Sequence, residues 1–140
     1  MALLLKVNRE AVIDNSVIVA AMKSAKLSES DLGEVIYVWF NDTTTQKSAL
    51  SEKATLISFT AITIPQVRDQ TKLKHAYRLV INRSTTTILS PLTTDDLEPF
   101  RYSEAVDGVE CLGKIHRDRN DKIIRLSVGQ SAALANRFLS

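Results

Sequence analysis

Two runs of alternating apolar and polar residues, 55–64 and 75–83, flank a polar, basic stretch at 66–74. A period of two fits a half-buried β-strand and little else. In the first run Ile57, Phe59 and Ala61 fall on one side and Ser58 and Thr60 on the other. In the second, Tyr77, Leu79 and Ile81 oppose Arg78 and Asn82. Paired as an antiparallel hairpin, the runs make a sheet with one apolar face that must be covered. The other face is polar, partly basic, and free to meet a ligand. Pro65 closes the first run, because proline has no N–H to donate to a ladder.

Around this pair the chain reads as one domain spanning 1–140, with no repeat, low-complexity tract or linker, and only 4 Gly and 3 Pro. Residues 2–7 predict a first strand, and 17–21 a partner for it across a turn near Asp14 and Asn15. The same region also fits a helix over 9–26, with Ile13, Val17, Ala20, Ala21 and Ser24 on one side; the β-branched Val17, Ile18 and Val19 favour the strand. Residues 34–40 have strong β composition, and 48–53 read as a connection into the central pair. Asp95, Asp96 and Glu98 suit a helix start that Pro99 limits to a turn. Residues 109–116 predict a late strand. Residues 122–128 fit either a returning strand, with Ile124, Leu126 and Val128 inward, or a helix capped by Asn120. Helix is favoured from Ser131 onward. The expected fold is α+β: a mainly antiparallel β-sheet with an N-terminal hairpin and a C-terminal helical segment packed on one face, completed by dimerisation.

A hydrophobic content of 44% against 24% charged residues excludes a disordered chain. The single cysteine, Cys111, forbids an intrachain disulfide and reads as a small buried filler. Lys6, Arg9 and Glu10 end the apolar start too early for a signal peptide or membrane span, so a cytoplasmic protein without a membrane partner is expected. His75 and His116 lack neighbours at metal-ligand spacing, and no serine or threonine lies in a nucleophile elbow or phosphate loop. The expectation is a non-enzymatic protein with no catalytic residues, no metal, no cofactor and no small-molecule substrate.

Polyanion binding is the remaining chemistry. Arg68, Lys72, Lys74, Arg78 and Arg83 surround the central pair, and Lys114, His116, Arg117, Arg119, Lys122 and Arg125 cluster later. Lysine and arginine can contact phosphates, and Ser58, Thr60 and Asn82 can add neutral hydrogen bonds from the same face. Tyr37, Trp39 and Phe40 can stack on bases or pack a core. A net charge of +2 is too small to decide the matter by itself.

Residues 54–84, with Ser58-Phe59-Thr60, a polar loop and then Lys74-His75-Ala76-Tyr77-Arg78-Leu79-Val80-Ile81, resemble the central strands of coat proteins from single-stranded RNA bacteriophages. The resemblance extends to an N-terminal hairpin over 2–21 and to a late strand followed by a C-terminal helix. It implies a homodimer whose sheets join edge to edge, many of which close into an icosahedral capsid assembled in the host cytoplasm and found in the virion. C-terminal helices would cover the apolar face, and the polar face would look at genomic RNA. Ser58, Thr60, Arg78 and Asn82 are then the matching RNA-binding positions, with Lys74 and Lys114 added. The alternatives are a small β-barrel or sandwich that binds single-stranded nucleic acid, and a non-enzymatic protein-interaction module.

Overall fold

A computed structural model describes residues 2–8, 12–14, 16–21, 26–42, 47–65, 69, 71–83, 88–89, 92–97, 112 and 122–138. Its centre is a mixed, largely antiparallel open sheet. The strands are β1 (Leu3–Asn8), β2 (Val12–Asp14), β3 (Val17–Ala21), β4 (Val35–Asp42), β5 (Lys47–Pro65), β6 (Leu73–Arg83), β7 (Leu92–Thr93) and β8 (Lys122–Arg125). Their order is β2-β3-β6-β5-β4-β1-β8, with β7 pairing β5 off this path. Among the described residues they are joined by a single helical turn, α1 (Thr94–Leu97), and the C-terminal helix α2 (Val128–Ala135), besides a 3-10 turn at Glu29–Asp31.

The 55–64 and 75–83 runs do pair, antiparallel, and both strands are longer than the alternation alone indicates. β5 spans 19 residues, so 48–53 belong to the strand and are not a connection into it. Its first part pairs with β4, from Asp42↔Lys47 to Val35↔Thr55, and its later part with β6, from Ala54↔Arg83 to Pro65↔Leu73. On the β6 side of its start, β7 pairs with Ala49 and Leu50. One strand thus serves two sets of neighbours.

β1 corrects the expected hairpin. It does not pair with 17–21 but lies parallel to β4, with Leu5 opposite Val38, and antiparallel to β8, with Leu5 opposite Ile123. The N-terminal hairpin that does form joins β2 to β3, through Asp14↔Val17, which also overturns the helix over 9–26. The physical reason lies in composition. Leu3, Leu4, Leu5 and Val7 are an almost unbroken apolar run, which suits a strand covered on both faces, and parallel strands are characteristically buried on both. Even Lys6, expected to end the run, is 2% exposed.

Each face of the sheet carries its own core. One contains Leu3, Leu5, Ile36, Val38, Leu56, Tyr77, Leu79, Ile81 and Ile123. The other contains Leu4, Tyr37, Trp39, Leu50, Leu92, Leu97, Leu112, Leu126, Leu134 and Phe138. The first core lies inside a curl: β3 and β8, far apart in strand order, approach within 8 Å between Cα atoms, although no ladder joins them among the described residues. Residues 26–31 tie the two ends of the curl. Leu27 N donates to the Tyr77 hydroxyl at 3.1 Å, while Arg125 of β8 donates to the Lys26 carbonyl at 2.7 Å and to both Asp31 oxygens.

α2 covers the second core, with Leu134 fully buried and the Phe138 ring 5.7 Å from that of Tyr37. Of the two readings of 122–128, neither is complete. Residues 122–125 form a strand, and the helix then starts at Val128, not after Asn120. Ser127 explains the switch, because its hydroxyl accepts from Gln130 N and Gln130 Oε1 accepts from Ser127 N, a reciprocal cap. Leu126 is buried as expected. Val128, expected inward, is 86% exposed.

Candidate nucleic-acid interface

β6 alternates from Tyr77 to Asn82. Tyr77, Leu79 and Ile81 are buried at 3%, 0% and 1% exposure, while Arg78 and Asn82 are exposed and Val80 is half-buried; Ala76, on the parity of Arg78, is buried. The polar face anticipated from the sequence is therefore real at this strand. β5 obeys the pattern only beyond residue 57. A bulge lies between Leu56↔Ile81 and Ser58↔Val80, so Leu56 takes the core position and Ile57 is 49% exposed rather than facing inward with Phe59. After the bulge, Phe59 pairs with Leu79 and sets its ring edge-on to Tyr77 at 5.5 Å. Thr60 pairs with Arg78.

The bulge keeps the chosen residues together. Thr60 and Arg78 sit directly across from each other, Ser58 is two positions away on the same side, and Asn82 pairs with Thr55. Ser58, Thr60, Arg78 and Asn82 are all exposed. Along β6 the separation of Arg78 from Asn82 is about 13 Å at the usual rise per residue. Lys74 occupies a β6 position opposite Ile64. Lys114 lies outside the described residues, as do Arg68, His116, Arg117 and Arg119. Lys53 extends the band: it falls two positions before Thr55 and pairs with Tyr37, whereas the alternation of 55–64 continued backwards would have put it on the opposite side, because the bulge beside Ile57 reverses the parity.

Two of the basic residues in the sequence clusters are already committed. Arg83 Nε lies 3.2 Å from Glu52 Oε2, on the face opposite Arg78 and Asn82. Arg125 is held by Asp31, whose carboxyl is only 3% exposed, and the guanidinium hydrogen bond holds the Asp31 pKa at about 2 against an ordinary 3.8. Beyond the polar face, the loop after β5 is shaped by Asp69, which accepts from Thr71 N at 3.0 Å and from the Thr71 hydroxyl; these bonds lower its pKa.

The placement of α2 departs from what the resemblance implies. Helices were expected over the apolar face of Tyr77, Leu79 and Ile81. Those residues belong instead to the core inside the curl, and α2 packs on the opposite side, the side that carries Arg78 and Asn82. The polar band consequently begins where the second core ends, beside Val35 and Thr55. Tyr37, Trp39 and Phe40, weighed as stacking platforms, are each 3% exposed and serve as core. Burial also raises the Tyr37 pKa.

Among the described residues no group of three or more His, Cys, Asp or Glu is placed to hold a metal, and no helix is long and apolar enough to cross a membrane. Comparison with protein-family models, curated proteins and solved structures gives no match to this chain.

Proposed function

We propose that this chain is a viral structural protein: a capsid subunit that associates with itself and contacts genomic RNA through Ser58, Thr60, Arg78 and Asn82. The observation that carries the reading is the β5–β6 arm, whose second strand buries every residue of one parity from Tyr77 to Ile81 and exposes Arg78 and Asn82 between and beyond them. An arginine flanked by hydroxyl and amide groups on a rigid strand suits phosphate and sugar contacts, which position a nucleic acid without reading its sequence. One such arginine per subunit is weak alone, and repetition over a shell makes it a large positive surface. In this reading RNA follows the outer arm, beyond the edge of α2. Lys74 and Lys114 are proposed as further RNA contacts.

Purified protein should elute as large particles absorbing as nucleoprotein, and Arg78→Ala should yield particles or subunits with less RNA. A chain that stays monomeric in every salt condition and retains no RNA contradicts the proposal.

A second reading, a small barrel-like protein that binds single-stranded nucleic acid without a shell, is favoured by the curl that brings β3 within 8 Å of β8. It has to manage without Tyr37, Trp39 and Phe40 as stacking platforms, since all three are buried. Salt-dependent RNA binding by a particle-free monomer would select it.

A further inference from the structure

The ladders join β3 to β8 the long way round. They run from β3 through β6, β5, β4 and β1 to β8, and where the curl brings β3 back to β8 the segment 26–31 spans the approach. Leu27 N donates at 3.1 Å to the hydroxyl of Tyr77, which pairs with Ala20 of β3, and so fastens the segment to that side. Arg125 fastens it to β8, donating to the Lys26 carbonyl at 2.7 Å and to both Asp31 oxygens. Ser28 N donates to Asp31 Oδ2 at 2.8 Å and holds that carboxylate in place.

The segment is thinly anchored. Leu27 and Asp31 are buried, while Lys26, Ser28, Glu29 and Ser30 are exposed. Beyond Asp31 the chain is rooted in the sheet, with Gly33 N donating to Leu56 O at 2.8 Å and Leu56 N to Glu34 O at 3.0 Å. A segment with one rooted end, one apolar side chain in the core and one guanidinium clamped across it has few contacts to lose. Such pieces open at lower free energy than the strands around them. The strand ladders do not include 26–31, so all of them survive its lifting.

We propose that residues 26–31 are a strap that opens as a unit while the sheet stays folded, with Arg125 as its clasp. Opening withdraws Leu27 from the first core and uncovers apolar side chains at the seam, Ile18 of β3 and Ile123 of β8, both buried in that core. Breaking the clasp alone favours the open form, since Asp31 is then left buried and charged without its partner. Lifting the segment returns its carboxylate to water. The strap belongs to the fold of the single chain and does not depend on the proposed RNA contacts or self-association.

Thiol labelling reads the opening at Leu27. In a Cys111→Ser background, Leu27→Cys should react with an aromatic disulfide reagent in native buffer at a rate that low urea barely changes. Leu79→Cys, at a fully buried position paired on both sides by β3 and β5, should react only as fast as the whole chain unfolds. Hydrogen exchange of the Leu27 amide in the unsubstituted chain gives the same reading with the core untouched. Arg125→Gln should speed both the labelling at 27 and that exchange about tenfold or more, and should raise the fluorescence of added anilinonaphthalene sulfonate while the circular dichroism of the sheet is retained. Labelling at 27 that depends on urea as steeply as at 79, or a Leu27 amide that exchanges only on global unfolding, would overturn the strap. Unchanged rates in Arg125→Gln, or loss of its sheet signal, would do the same for the clasp.

Discussion

Asp31 and Arg125 are 94 residues apart in sequence, yet their two-pronged hydrogen bond holds the segment after β3 against β8. The carboxyl is buried and the guanidinium is 35% exposed, so water screens part of the attraction, and the pair is worth about 1–2 kcal/mol. The folded chain holds the Asp31 proton less tightly than the unfolded one. The stabilisation is therefore complete above the ordinary value of 3.8 and disappears as pH falls through about 2. Urea titrations of wild type and Asp31→Asn should differ at pH 6 and converge near pH 2; a pH-independent gap would contradict the assignment. At Arg78 the expectation is opposite. Arg78→Ala removes an exposed side chain and should leave stability within about 0.5 kcal/mol, while RNA affinity falls and the slope of its salt dependence flattens by roughly 0.7. Binding isotherms at several salt concentrations read this directly. Arg78 was legible in the sequence because alternation alone places it. The Arg125 pairing was not, because nothing local joins residues separated by most of the chain.

At the scale of elements, periodicity located strands well and assigned their faces only where the ladder stays regular. The bulge beside Ile57 reverses its expected side, and a bulge depends on pairing geometry, not on the local pattern. The C-terminal helix was ambiguous for a related reason: 122–128 change from strand to helix within a few residues, and the Ser127 cap marks the boundary. Ser127→Ala should lower the melting temperature by a few degrees, for a loss of about 1 kcal/mol. Gly129 sits inside α2, and a Cβ added there meets nothing within 4 Å. Gly129→Ala should accordingly raise stability, by up to about 1 kcal/mol. Gly33 behaves otherwise. Its φ of 83° is one that a side chain strains, so Gly33→Ala should destabilise by about 1 kcal/mol despite the open space. Thermal melts of the three variants check all three signs.

For the whole molecule, strand order was the least legible property. The apolar runs of β1 and β4 both announce burial, yet their parallel pairing depends on the chain leaving for β2 and β3 and returning through 26–34. The curl and the side chosen by α2 follow from that path. The candidate site was more accessible, since four of its residues, Ser58, Thr60, Arg78 and Asn82, lie on one hairpin whose register the alternation nearly fixes. In the proposed function their role belongs to the assembled particle, which no single chain displays. The most direct test is a negative-stain micrograph of the purified protein, paired with its absorbance spectrum before and after nuclease treatment of the disrupted sample. The account predicts closed shells of uniform size that contain RNA. A field of small single particles, free of nucleic acid at every concentration and salt, would contradict it.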